Sequence, residues 1–559
     1  MADNDKSSVV PSTVTLITLG CAKNEADSRH MQELIVQAGF RWCETPVNAD
    51  FILVNTCAFI QDATEESLDT ILELADGERL RSGNAKLLVV GCLPSRYGAE
   101  LVGELPEVAD FVDVAHEGGI VQVLERHGAR AAVSTHRASD PPVADTTLLT
   151  GSTGQAPGVE AALFLSNPTD TLDVPSADNP SAVPALPFES SLETTVQPWA
   201  YVKISDGCSR ACTYCTIPQI RGPYKSRPFA AIAAEIDELI NTGVGEIILI
   251  GQDTGIWTDT SVGTATRVTP TTATLPARAA PVTDGVTMAT PATEIAAAPV
   301  TNAPVTNAPV TNAPTASSVQ VPTNLPELLK YLAVYYPNTW FRVMYLQPQG
   351  ISDELLAVMA AHDNICNYLD MPLQHASRRI LTSMGRSGSK DEYLSLIAKI
   401  RRALPNVALR TTLIAGFPGE EDVDFLELER FVIRARFDYL GVFAYSREQG
   451  TVAAALPGHL SQTTRLVRAQ RLRDIGDNIG MAQAATHIGS RATVLVCGSD
   501  DDGIYGRSQA QAPDVDGVVY LKPESAYEKS RDVVVGKRYD VRIYEAVCYD
   551  LFGEVFYAR

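Results

Sequence analysis

Three times in its first hundred residues the chain runs through a short apolar or β-branched segment and meets a cysteine just beyond it. The segments are Val14–Leu19, Phe51–Thr56 and Leu87–Gly91, and the cysteines are Cys21, Cys57 and Cys92. Helical patterns, Asp27–Ala38 and Ala63–Ala75, lie between them. A β-α-β-α-β order implies a parallel sheet, because each strand must be reached through a crossover. All carboxyl ends then share one edge, where open α/β sheets bind their ligands. The separations of 36 and 35 residues are each about one βα unit, so cysteines distant in sequence are expected to meet in space. Two readings of the trio stay open: a metal site at the sheet edge, or ordinary buried free cysteines.

The same alternation returns later. Strand candidates Ala200–Ile204, Glu246–Ile250, Trp340–Tyr345, Asn367–Asp370, Ala408–Leu413 and Asp438–Phe443 are separated by helical patterns such as Ala230–Asn241 and Asp391–Ala403. Six βα units fit an incomplete (β/α)6 barrel with its site at the carboxyl ends of the strands. A helix is expected at Thr463–Ala485, and the stretches ATVLV, GVVYL, RYDVRIYEAV and FGEVFYA beyond Ser490 suit a small antiparallel β-barrel. The expected organisation is an α/β domain at 13–136, a disordered linker at 137–195, a barrel domain at 196–485 and a terminal barrel at 486–559. The linker is rich in Ser, Thr, Pro and Ala. A second such stretch, 258–323, repeats VTNAP three times and reads as a disordered insertion in the barrel domain.

Composition narrows the function. With 67 acidic against 45 basic side chains the net charge is −22, which excludes a generic nucleic-acid binder. No apolar run is long enough for a bilayer span, and Met1 to Ser12 lacks an apolar signal core, so a cytoplasmic protein is expected. Ten cysteines in that setting point to metal binding or catalysis before disulfides.

The strongest local motif is Cys208-x3-Cys212-x2-Cys215, directly after the strand Ala200–Ile204. Three thiolates from one loop can hold three irons of a [4Fe–4S] cubane and leave the fourth open to a small chelating molecule. S-adenosylmethionine (SAM) offers an amino group and a carboxylate for that position. One-electron cleavage of its sulfonium would yield a radical able to take hydrogen from an unactivated carbon. The competing reading is zinc, but zinc sites usually pair two CxxC motifs, and no fourth Cys or His lies nearby in sequence. Cys43, Cys366, Cys497 and Cys548 show no ligand spacing and read as core or incidental.

Longer motifs carry a resemblance. LGCAKNEADS (Leu19–Ser28), NTC (Asn55–Cys57) and GCLPSR (Gly91–Arg96) resemble the N-terminal domain of the methylthiotransferases. SDGCSRACTYCTIPQIRGPYKSRP, MPLQHAS, LRTTLIAGFPGE and GVFAYSREQGT resemble their radical SAM domain, and GRSQAQAPDVDGVV resembles the RimO version of their TRAM domain, a small OB-like barrel. The likeness spans the chain outside its two low-complexity segments. It departs at Ala22, where the family usually has Pro, and in the length of the two insertions.

The resemblance implies a second, auxiliary [4Fe–4S] cluster on Cys21, Cys57 and Cys92. It also implies two SAM molecules per turnover, one giving a methyl group to sulfur and one cleaved to the radical. It suggests Tyr214, Gly251, Gln252, Asp253, Gln374, Thr412 and Gly416 as SAM-binding residues, and no acid or base of the chain as a catalytic residue. Taken alone, GQD at 251–253 also reads as a turn, Gly416 as a bend and His375 as an ordinary core histidine. Arg221, Lys225 and Arg227 pair with a carboxylate substrate or form a solvated face.

The resemblance also implies the substrate: an aspartate of small-subunit ribosomal protein twelve, free or in the ribosome, methylthiolated at its β-carbon. A tRNA adenosine is the alternative, and a non-enzymatic iron–sulfur carrier a more remote one. From Ser490 onward 12 Asp and Glu stand against 9 Lys and Arg, a balance that favours a basic protein over RNA. A flavodoxin or ferredoxin would supply electrons, and the chain is expected to act as a monomer.

Overall fold

The computed structural model describes residues 10–131, 197–259, 321–523 and 533–556. The segment read as a disordered linker, and all of the insertion except 258–259 and 321–323, lie outside the described residues.

β1 (Thr13–Thr18), β2 (Arg41–Trp42), β3 (Phe51–Thr56), β4 (Lys86–Gly91) and β5 (Val108–Asp113) form one parallel sheet in the order β2-β1-β3-β4-β5. The two central strands are apolar almost throughout because both faces are covered. Leu53, Leu88 and Val90 pack with Met31 and Ile35 of the helix Ala22–Gln37, whereas Ile52, Val54, Leu87 and Val89 pack with Ile71 of the helix Gln61–Ala75. That two-residue alternation is the pleat of the sheet. The three cysteines follow β1, β3 and β4, at the carboxyl edge.

The second unit begins with β6 (Trp199–Lys203), continues through a short hairpin of β7 (Ser205–Asp206) and β8 (Lys225–Ser226), and adds β9 (Glu246–Ile250), β10 (Trp340–Val343), β11 (Tyr368–Asp370), β12 (Ala408–Ala415) and β13 (Tyr439–Ala444). Strands β6-β9-β10 and β11-β12-β13 are two parallel three-stranded sheets. Phe341 joins them, its N–H donating to the carbonyl of Asn364 and its carbonyl accepting from Cys366 N–H. The six strands thus run in sequence order around an incomplete barrel, as the alternation predicts. Helices Phe229–Asn241, Leu325–Tyr335, Lys390–Ala403 and Asp422–Ala435 bury Ile236, Leu328, Ile397 and Leu428 against its outer face.

The helix Gln462–Ala485 leads to β14 (Arg491–Asp500), β15 (Gly503–Arg507), β16 (Val519–Pro523), β17 (Arg538–Val547) and β18 (Asp550–Phe556), a closed barrel in the order β14-β15-β16-β18-β17. Its pairs are antiparallel as expected, except that β16 runs parallel to β18. β15 was not expected from sequence, because GIYGR is short and carries two glycines.

The loop between β15 and β16 enters the larger barrel. Arg342 Nη1 donates to Gln509 O at 2.9 Å, and Tyr201 OH to Asp514 Oδ2 at 3.0 Å. Arg507 and Arg342 both hold Glu246, each at 2.7 Å. Glu246 opens β9, so this plug sits toward the amino-terminal end and leaves the carboxyl end for the site. Among the described residues no helix is long and apolar enough to cross a membrane.

Candidate active site

The N-terminal sheet sets its carboxyl edge against the carboxyl end of the barrel. Asp27 pairs with Lys203, the last residue of β6, and with Arg221. Arg96, beyond β4, pairs with Glu448, beyond β13, at 2.7 Å with both side chains buried. Thr216 Oγ1 donates to Phe59 O at 3.1 Å. Both cysteine trios lie at this junction.

Cys21 caps the helix Ala22–Gln37, Cys57 leaves β3, and Cys92 opens the helix Cys92–Tyr97. Asn24 stands between them, its Oδ1 4.0 Å from Cys21 Sγ and 3.8 Å from Cys92 Sγ. Its amide nitrogen donates to Leu19 O at 2.8 Å and Thr56 O at 2.9 Å, tying two strand ends together. Gly20 has φ +95°, and a Cβ there would fall 2.4 Å from Cys57 Cβ, so only glycine lets Cys57 approach. Burial pushes the Cys57 thiol up to about 11 and the Cys92 thiol up to about 12, with the neighbouring sulfurs adding to the effect and Arg221 opposing it. Thiols crowded in this way keep their protons until a bound cation displaces them to solvent, and none of the three is in a disulfide. Among the described residues no three His, Cys, Asp or Glu groups converge on a single metal ion. A cubane asks for a wider spread, because each thiolate ligates a different iron.

The loop carrying Cys208, Cys212 and Cys215 is pinned from several sides. Cys208 N–H donates to Gly222 O, Thr213 N–H to Met384 O, and Ala453 N–H to Thr213 O. Gly385 (φ +70°) lies so close that a Cβ would be 2.3 Å from Ala211 O. Arg386 Nη1 lies 3.9 Å from Cys212 Sγ and 3.4 Å from the hydroxyl of Tyr214, which burial pushes well above its ordinary pKa. Burial also raises Cys215, to about 12.

The residues proposed for SAM are distributed around this mouth. Gly251 follows β9 and abuts Ser205, and both amide atoms of Gln252 are buried without a hydrogen-bond partner. Asp253 Oδ2 accepts from Arg210 of the cysteine loop at 2.5 Å, while its Oδ1 is buried and unpaired. Buried polar atoms without partners are rare, and here they fit a polar ligand. Gln374 (φ +71°) bridges to β12, donating to Thr412 O at 2.9 Å and accepting from Ile414 N–H at 2.7 Å. Gly416 differs: the space a Cβ would occupy holds Arg465, 2.5 Å away, so its glycine character serves helix packing on that side. His375 is fully buried, its Nδ1 accepting from Ser377 N–H at 3.0 Å and its Nε2 lying 3.3 Å from Glu420.

Of the basic residues left open, Arg221 is neither solvated nor free. It is buried, bonding Asp27 at 3.0 Å and Asn24 at 2.9 Å, with Cys92 Sγ at 3.9 Å. Arg227 pairs with Glu235, and Lys225 is exposed.

Sequence reasoning passed over Lys23, Asn24 and Arg386. Lys23 is 9 % exposed, with Nζ 3.0 Å from the centroid of the Tyr345 ring, and burial lowers its pKa to about 8. A signal existed for two of the three: Lys23, Asn24, Asp27 and Ser28 are buried polar residues at helical spacing on one helix.

An incomplete parallel barrel whose first strand delivers a three-cysteine loop to its mouth defines a radical SAM enzyme, and the Radical SAM superfamily model matches residues 202–293 and 317–432. The flanking units match Uncharacterized protein family UPF0004 at 13–113 and the TRAM domain at 488–556. Over nearly its full length the chain is similar to proteins named Ribosomal protein uS12 methylthiotransferase RimO. That of Trichlorobacter lovleyi is 34 % identical over 545 residues, covering 97 % of this chain and 98 % of the relative. That of Syntrophus aciditrophicus is 35 % identical over 547 residues, covering 97 % and 98 %. The chain belongs to this RimO family of methylthiotransferases. It is therefore an enzyme that uses SAM and a [4Fe–4S] cluster. Among solved structures, the radical SAM methyltransferase TsrM from Kitasatospora setae aligns with TM-score 0.44 and 12 % identity over 88 % of this chain and 79 % of that one.

Proposed function

We propose that the chain adds a methylthio group to the β-carbon of an aspartate in ribosomal protein uS12, the substrate named for its relatives. In this reading Cys208, Cys212 and Cys215 hold the cluster that meets SAM, and Cys21, Cys57 and Cys92 hold a second [4Fe–4S] cluster. The observation that carries it is the juxtaposition of two cysteine trios on facing carboxyl edges, tied by Arg221 from one domain to Asn24 and Asp27 of the other. When bound, SAM and the clusters supply one-electron cleavage and a sulfur to transfer.

The chain's own residues hold these groups and exclude water. Gln252 and Asp253 offer unpaired buried polar atoms to SAM, and Gln374, Thr412 and Tyr214 complete the lining in this reading. Arg386 and Arg221 place one guanidinium beside each trio, where positive charge offsets the thiolates. The buried Arg96–Glu448 pair locks the two edges together. A monomer reduced by a flavodoxin or ferredoxin and acting in the cytoplasm completes the proposal.

The test compares ribosomal protein and tRNA from a strain lacking this gene by mass spectrometry. Loss of the methylthio group from uS12, restored by the wild-type gene, is expected. A loss confined to tRNA would overturn the reading.

A further inference from the structure

We infer that Lys23 binds the carboxylate of the target aspartate. The inference rests on the aspartate reading above and concerns how the site selects that side chain.

Lys23 is nine-tenths buried on the helix that Cys21 caps, and its ammonium rests on the ring of Tyr345. The charged side chains that act on Lys23 have closer partners of their own. Arg221 and Lys203 share Asp27 and Asp206, and Arg410 holds Asp370. Lys23 forms no hydrogen bond or ion pair with any described residue; the ring is its direct partner, and Asp370 and Asp206 act on it only at longer range. An aromatic ring steadies an ammonium but satisfies none of its three N–H donors as an oxygen would. A buried, unmatched cation is costly, and its natural complement is an anion that arrives from outside.

The shelf beneath it is built and strained. Tyr345 follows β10 at the barrel mouth with φ +62°, a conformation a bulky residue rarely takes. Its N–H donates to Asp370 Oδ2 at 3.2 Å, and its carbonyl accepts from Thr254 N–H. Strain held from both sides is a mark of positions kept for function. Cys21, two residues from Lys23, is exposed, so the ammonium lies where the sulfur-bearing edge meets the barrel mouth. The carbon to be modified is bonded directly to the carboxylate carbon. A ligand on that carboxylate would therefore orient the reacting C–H bond, whereas an adenine base carries no anionic group to pair with it.

The test measures anaerobic binding of two forms of the ribosomal substrate protein, with Asp or Asn at the target position, to full-length reconstituted enzyme. The wild type should prefer Asp by roughly 10- to 150-fold, the range for a hydrogen bond to a charged group. Lys23→Met should bring that ratio near unity with iron content and cluster absorbance intact, and Lys23→Arg should restore part of it. A Lys23→Met enzyme that still discriminates, or one that loses iron from the Cys21 trio, overturns the assignment; the second result would make Lys23 a support for the cluster. If the wild type neither binds nor modifies the ribosomal protein, the substrate reading itself has failed, and that result is distinct from the other two.

Discussion

The guanidinium of Arg221 touches both halves of the molecule: Asp206 on its own side, and Asp27, Asn24 and the Cys92 sulfur across the junction. Its side chain is 2 % exposed, so removing it strands buried acid without water to replace it. Arg221→Met should destabilise the protein by about 3 kcal/mol, the lower end for breaking a buried pair. A clearly lowered Tm, with iron lost from the Cys21 trio in a Cys208→Ala background, is the expected result; an unchanged Tm would remove Arg221 from this role. Gly20→Ala should act on the same trio by a different route, since its methyl would meet Cys57 Cβ at 2.4 Å. It should lower iron at that trio while leaving the Cys208 loop loaded. The cysteines themselves were legible because strand ends in a parallel sheet share an edge. The role of Arg221 was not: the residue stood out, but the partners it joins are 194 and 197 positions away and no local pattern links them.

At the scale of elements, strands read well where burial on both faces left an uninterrupted apolar run, as in β3 and β9. They were missed where that signal fades: β5 is an edge strand with only one buried residue, and β15 is interrupted by glycine. The cysteine loop itself depends on elements that sequence does not connect to it. Met384, at the end of the helix Arg378–Ser383, accepts from Thr213 N–H, and Ala453 donates to Thr213 O. Gly385→Val should push that helix end off Ala211, 2.3 Å from where its Cβ would lie, and move Cys212 with it. The expected outcome is loss of 5′-deoxyadenosine formation and of iron at this loop, with the Cys21 trio still loaded. Equal loss at both trios would mean that the variant unfolds the chain more widely and would sink this account of the loop.

The whole molecule adds a constraint that the charge count beyond Ser490 did not contain. Arg507, Asp514 and Asp516, three of the charges in that count, lie inside or against the larger barrel. They bind the terminal unit to the barrel and cannot serve as a docking face, so the acidic balance of the tail says less about a substrate than its sum suggests. Asp516 makes this attachment sensitive to pH. Burial pushes its carboxyl up from 3.8 to about 6, with Arg410 only partly opposing the rise. A raised folded-state pKa means that the folded form holds the proton more tightly, so protonation stabilises the docked loop and that stabilisation is lost as pH rises through about 6. Each pH unit below that value contributes about 1.4 kcal/mol until the unfolded pKa is reached. Between pH 8 and pH 5 the wild type should therefore gain about 1.4 kcal/mol from this group, which Asp516→Asn cannot gain. The Asn side chain can still accept from Ala512 N–H, as Asp516 Oδ2 does at 2.8 Å, so the variant should fold. The difference in Tm, variant minus wild type, should become more positive as pH is raised from 5 to 8. A difference that stays constant over that range would place the titration elsewhere, since every other group titrates equally in both proteins and cancels.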